Sequence, residues 1–337
     1  MKRTVKILLV LCITVLLMIL SVGMGSVRLA PAEVVRILSS RIFGTVSGID
    51  PNFSAIVWDM RFPRAVLAFL TGAALSASGT VMQSVLKNPL ASSYTLGVSS
   101  GASLCAALVM ITGFTIPLLG MFTLPLAGFL GGISTVFLAM AMAARLDGRM
   151  ENQTIILVGM VFSLFVNAVL TLLTALAKEH LQQMVFWQMG GFSGRNWSHV
   201  MIMFPVLLVC LIFLQHFTTE MDIMSFGEEQ AMSMGVDLRR VKLLLIGTAA
   251  LLTGTAVSLV GVIGFVDLIA PHVVRKLFGA SHRLVLPLSA VIGGAFLMLA
   301  ELLSRTVMAP AIIPVGAVTA LVGAPFFAFV FFGGRRK

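Results

Sequence analysis

Apolar runs of about 20 residues, parted by short polar and basic connections, succeed one another along the whole chain. The windows fall near 6–26, 62–84, 93–112, 119–143, 153–177, 198–217, 241–261, 268–279, 284–304 and 315–333. Hydrophobic residues make up 58% of the 337 and charged residues 11%, with a mean hydropathy of +1.05. A domain that faces water carries about 25% charged residues. These numbers predict an all-α polytopic membrane protein of about ten transmembrane helices, forming one domain over 1–337. A large soluble domain does not fit. The eighth window is too short to cross a hydrocarbon core of about 30 Å as one ordinary helix.

Charge sets the orientation. The net charge of +10 is not gathered on one polar segment, as nucleic-acid binding requires. Instead, basic residues punctuate the apolar runs. With both termini cytoplasmic, most of the 23 Lys and Arg residues fall inside, among them Lys2, Arg3, Lys6, Arg239, Arg240, Lys242, Arg335, Arg336 and Lys337. Arg28, Arg36, Arg41, Arg61, Arg64, Lys178, Arg195 and Arg305 fall outside, against the bias, and need another reason. The first apolar run follows MKRTVK and is longer than a secretory h-region. No A-x-A site follows it, so an uncleaved first span is expected.

Two outer connections carry structure of their own. In LAPAEVVRILSSRIF, Pro31 suits a first helical turn, and Val34, Val35, Leu38 and Ile42 recur at helical spacing, giving a short amphipathic helix. HLQQMVFWQMGGFSGRNW holds Trp187 and Trp197, residues of membrane interfaces, and in its W-Q-M-G-G-F core glycines that permit a tight turn.

No catalytic set is present in the sequence. It has no G-x-x-x-x-G-K-[ST] loop, nucleophile elbow or H-E-x-x-H, and no metal cluster is expected from its five scattered histidines. Cys12, Cys105 and Cys210 read as packing residues. Only Asp267 and Glu301 come near a span interior, fewer ionisable groups than ion-coupled carriers use. Glu301 stands four residues before Arg305, which suits a local ion pair, and Asp267 is placed to cap the eighth helix. Ser163, Asn167, Thr171 and Thr174 share one face of span five. That face meets water in a pathway or polar groups of a neighbouring helix. Gly72, Ser76 and Gly79, with Gly293 and Gly294, form small-residue strips suited to close helix packing.

Several segments carry a resemblance: WDMRFPRAVLAFLTGAALSASGTVMQSVLKNPLASSYTLGVSSGASL at 58–104, then GEEQAMSMGV, GFVDLIAPHVVRKLFGASHR, ELLSR and PVGAVTALVGAPFF. From about residue 55 onward the chain resembles the FecCD-type permease subunit of ABC importers for iron–siderophore complexes and cobalamin. The resemblance implies a subunit without chemistry or cofactor of its own, with ATP and Mg on the partner. It implies two ABC ATPase subunits, a second permease copy or sister permease, and an extracytoplasmic substrate-binding protein, in the bacterial cytoplasmic membrane. Within residues 216–242, Gly227, Glu228, Ala231, Met234, Gly235 and Val236 would form the unit that docks on the ATPase. Arg61, Arg64 and Arg305 would receive acidic residues of the binding protein. Spans five and ten would line the path, bringing Ser163, Asn167, Thr171 and Thr174 to it. Asp267 is a departure, because comparable permeases have glycine there. An iron–siderophore complex is the expected cargo, with cobalamin or haem as the alternative. An ion-coupled secondary transporter is the rival class.

Overall fold

The computed structural model describes residues 3–25, 29–44 and 50–333, with no side-chain detail beyond residue 329. Lys2, Arg28, Arg335, Arg336 and Lys337 of the charge pattern lie outside the described residues. Among the described residues, the secondary structure is helical throughout, with no strand. The α-helices are α1 (Arg3–Gly23), α2 (Pro31–Phe43), α3 (Pro51–Ala55), α4 (Phe62–Val85), α5 (Val98–Thr112), α6 (Thr123–Leu146), α7 (Asn152–Leu176), α8 (Leu181–Gln188), α9 (Trp197–His216), α10 (Thr218–Ser225), α11 (Glu228–Ser233), α12 (Leu238–Val260), α13 (Val266–Phe278), α14 (His282–Thr306) and α15 (Val315–Gly333).

Among the described residues, seven helical stretches are long and apolar enough to cross a membrane: Arg3–Gly23, Pro51–Val85, Gly120–Leu146, Asn152–Leu176, Trp197–His216, Leu238–Val260 and His282–Thr306. Two of the other three expected windows give shorter helices, and the third gives the 19-residue α15. Window 93–112 is broken by Gly97, at a φ of +86°, into a 3-10 turn and the 15-residue α5. Window 268–279 becomes the 13-residue α13, and the last becomes α15.

The centre of the bundle is α4, packed against α14, α12, α13 and α9. Its small-residue strip explains the fit. A Cβ on Gly72 would strike the Gly293 carbonyl, one on Gly293 would strike Ser76 Oγ, and one on Gly79 would strike the Asp267 carbonyl. Backbones that approach so closely gain dispersion contacts and hydrogen bonds that apolar burial cannot supply in lipid. The hydroxyls on α4 use that closeness. Ser78 donates to the Ala249 carbonyl at 3.0 Å, Thr253 donates to Ser78 at 2.7 Å, and Ser76 donates to the Val266 carbonyl at 3.2 Å.

The amphipathic α2 forms as expected, with Pro31 in its first turn and Gly44 at a left-handed C-cap. Val34 and Ile37 are buried while Val35 and Ile42 are exposed. Gly190 adopts a φ of +68° in the M-G-G-F turn, whose backbone ties α12 to α15: Gly191 N donates to the Val260 carbonyl at 2.8 Å, and Val315 N donates to the Gly190 carbonyl at 3.2 Å.

Asp267 differs from expectation. Phe265, at a φ of +69°, takes the position before α13, so Asp267 lies within the first turn. There it is buried, its charge faces the positive end of the helix, and its carboxylate accepts from the Ser92 hydroxyl. A helix boundary one or two residues earlier than hydropathy suggested ties the carboxylate to the loop that leads into the 3-10 turn at Ser93–Leu96.

Candidate functional site

The expected functional residues fall into three places: an arginine-lined basin at one end of the bundle, an exposed face of α7, and a two-helix unit at the other end.

The basin is built by R-F-P-R. Pro63 sits in a continuous helix from Pro51 to Val85, where it lacks an N–H and its ring clashes with the preceding turn. The chain relieves that clash with a π-helical stretch, Ile56–Arg61, and the wider turn directs Arg61 towards the end of α1. Arg61 Nη1 donates to the carbonyls of Val22 and Gly23, each at 3.2 Å. Arg305 Nη1 donates to the Met24 carbonyl at 2.7 Å, and its Nη2 donates to Ser21 O and, at 3.1 Å, to Ser21 Oγ. Two arginines therefore satisfy the last carbonyls of α1, which have no partner within their own helix.

Between the arginines lies Glu301, wholly buried. Its Oε2 accepts from Arg305 Nε at 3.1 Å, and its Oε1 pairs with Arg64 Nε. The expected Glu301–Arg305 pair forms, and Arg64 completes a triad that joins α4 to α14. Arg61, Arg64, Arg195 and Arg305 line a cavity of about 620 Å³, with Asp59 as its acidic member. Arg195 was not singled out from the sequence as a site residue. Its signal in the sequence is a cation in a connection expected to lie outside, against the positive-inside bias. Burial holds its guanidinium below the ordinary arginine pKa.

The α7 face divides. Asn167 and Thr171 are exposed, amid exposed Leu164, Phe165 and Leu172. Thr171 donates to its own Asn167 carbonyl at 2.8 Å, and the half-buried Thr174 donates to the Leu170 carbonyl at 2.7 Å. Ser163 is instead a helix–helix contact, its Oγ 2.9 Å from Ser100 Oγ on α5.

At the opposite end, α10 and α11 pack together around Gly227, which adopts a φ of +144°. A second left-handed glycine, Gly235 at +87°, closes α11 before Asp237 caps α12 by accepting from Arg240 N at 3.1 Å. The unit is amphipathic. Met221, Met224 and Ala231 are buried and Val236 is half-buried, while Phe226, Met232 and Met234 are exposed at 76%, 55% and 63%. Glu228 anchors it: its Oε1 accepts from Lys242 Nζ at 2.9 Å, and the same fully buried ammonium donates to the Met150 carbonyl at 2.9 Å.

Among the described residues, no group of three or more His, Cys, Asp or Glu side chains is placed to hold a metal ion.

Known proteins share this plan. The Fe(3+)-citrate import system permease YfmE of Bacillus subtilis is 33% identical over 337 residues, covering 100% of this chain and 97% of that protein. The cobalamin import system permease BtuC of Halobacterium salinarum is 37% identical over 284 residues, covering 84% of this chain and 75% of its own length. A solved inward-facing ABC transporter of metal-chelate type superposes with a TM-score of 0.85 at 29% identity, covering 97% of this chain and 99% of that one. The FecCD transport family matches residues 13–332, so the chain belongs to that family of ABC transporter permeases, subunits that are not themselves enzymes.

Proposed function

We propose that this chain moves an iron–siderophore complex across the bacterial cytoplasmic membrane as the permease of an ATP-driven importer, with ten spans and both termini cytoplasmic. The observation that carries the reading is the α10–α11 unit. Three large apolar side chains stand exposed on a compact fold fixed by two glycines, a shape suited to pressing into a groove on a partner. ABC ATPases are that partner, and they hold ATP and Mg. Two copies of the ATPase, with a second permease, would draw the coupling units together when ATP closes the ATPase pair. That closure would bias the permeases between outward and inward states.

At the outer end, Arg61, Arg64, Arg195 and Arg305 offer a basin of positive charge to carboxylates of a binding protein. The planar guanidinium suits bidentate pairing. Asn167 and Thr171 put polar groups on a face of α7 that would border the path against the second permease. An iron chelate as cargo is supported by YfmE, whose name gives ferric citrate.

The test is uptake into vesicles holding the complete importer. Uptake of a radiolabelled ferric chelate that vanadate blocks and an uncoupler leaves intact supports the reading. Uptake abolished by uncoupler at constant ATP makes the chain part of an ion-driven carrier. Uptake of cobalamin or haem but of no ferric complex keeps the mechanism and replaces the cargo.

A further inference from the structure

We infer that α14 is the strut linking the coupling unit to the outer arginine basin, and that Asp222 with His282 forms its cytoplasmic joint. This rests on the ATP-driven permease reading above.

The joint is visible in how α14 begins. Its own N-cap residue, Ser281, makes no side-chain cap. Asp222, on α10 of the coupling unit, supplies the cap from outside the helix. Its Oδ1 accepts from His282 N at 2.9 Å and from His282 Nδ1 at 2.6 Å, while Ser281 Oγ donates to Oδ2 at 3.3 Å. A carboxylate at a helix N-terminus meets both free amides and the positive end of the dipole. The His282 ring is buried, and among the described residues its Nε2 has no hydrogen-bond partner, so its one hydrogen-bonding tie there is to Asp222.

A second bond reinforces the first. Pro287 lacks the N–H that would take the Arg283 carbonyl, and Gln215, at the end of α9 just before α10, donates Nε2 to that carbonyl at 3.1 Å. Every polar group freed at the start of α14 that the structure pairs with another helix is paired at the margin of the coupling unit.

The strut itself is stiff. Its 25 residues span about 37 Å, and it packs along α4 more extensively than any other helix pair. With the backbones of Gly72 and Gly293 in close approach and the Ser76 side chain against Gly293, the two helices cannot slide without collision. The outer end of this pair carries Glu301, Arg305 and Arg64. One rigid unit thus has its foot on the ATPase-facing helices and its head in the basin. Asp222 and His282 are positioning residues, acting on the outer face through α14.

The experiment uses the assembled permease–ATPase complex in liposomes, with Cys12, Cys105 and Cys210 replaced by serine. Met308→Cys, exposed just past the outer end of α14, is the reporter. Its maleimide labelling rate is measured with and without ATP plus vanadate. The complex with an intact joint is expected to change rate severalfold on nucleotide trapping. In Asp222→Ala and in His282→Ala that change should shrink towards none, although ATP hydrolysis continues in the His282 variant. The double variant should be no worse than either single one. Asp222→Asn, which keeps an oxygen for both donors, should recover part of the change and serves where the alanine variants fail to assemble. A full change of rate in the alanine variants, or in Asp222→Asn no recovery where alanine assembles, overturns the joint. No change with the joint intact overturns ATP-driven switching itself, and the strut falls with it.

Discussion

Arg305 closes on the carboxylate of Glu301 one helical turn away, at 3.1 Å, in a site where that carboxylate is sealed from solvent. Arg64 reaches the same carboxylate from α4. A buried charge with two cationic partners is tolerated only while both are present, because removing one side leaves the other desolvated and unpaired. Glu301→Gln is therefore expected to cost about 3–5 kcal/mol of stability. Denaturant titration of the purified protein measures it. Combining it with Arg64→Met should cost less than the sum of the single changes, since the triad acts as a unit. Strict additivity would mean that the three charges do not interact.

Gly235 tests the coupling unit. Its φ of +87° suits glycine, and a Cβ there meets nothing within 4 Å, so the penalty on substitution comes from the backbone alone. Gly235→Val should cost about 1–3 kcal/mol locally, enough to reshape the turn after Met234. Uptake should fall while membrane insertion is unchanged and ATP hydrolysis loses its coupling to transport. Gly235→Asn, more at ease in the left-handed region, should lie between. Transport in the valine variant equal to the parent would remove this turn from the mechanism.

The α7 face makes a position-by-position forecast. Single cysteines at Asn167 and Thr171, in the cysteine-free background, should react with small aqueous thiol reagents at rates that respond to cargo turnover. Ser163→Cys should react slowly, because that side chain is turned to Ser100 on α5. Fast labelling at 163 with silence at 167 and 171 would reverse the assignment and make the exposed pair a lipid or packing face.

What the sequence made legible follows from range. Apolar runs, Pro31, the glycine strips and the Glu301–Arg305 spacing are local signals, and each reappears in the fold. The small residues on α4 and α14 could be recognised as packing surfaces before their partner was known. Contacts between distant residues were not readable. Nothing local says that Asp222 will cap a helix sixty positions later, or that Arg305 will satisfy the end of α1. Arg61, Arg64 and Arg305 illustrate the limit. Their expected place outside, against the positive-inside bias, marked them as special, yet a single chain cannot reveal that each already holds an internal partner. Asp267 shows the same limit at shorter range, where a shift in helix start sent its carboxylate to Ser92.

The internal bonds of the arginines sharpen the docking test. Arg64 and Arg305 keep only 16% and 9% of their side-chain surface exposed, and both pair with Glu301. Reversing either to Glu would therefore disturb the triad as well as any bond to a binding protein, and a simple loss of affinity would be ambiguous. Arg195→Glu is the cleaner change, since that residue lines the basin without capping α1 or touching Glu301. Loss of one well-made charged contact is expected to cost about 1–3 kcal/mol, a roughly five- to hundredfold weaker affinity. The measurement is binding-protein affinity for the reconstituted complex at two salt concentrations, for Arg61→Glu, Arg64→Glu, Arg195→Glu and Arg305→Glu. Rim contacts should weaken with salt, and desolvated ones should not. A Glu→Arg change on the binding protein that restores affinity to one reversal alone identifies a direct pair. Affinity unchanged in all four variants would leave Arg61, Arg64 and Arg305 as internal ties of α1, α4 and α14, and the basin would have no part in docking.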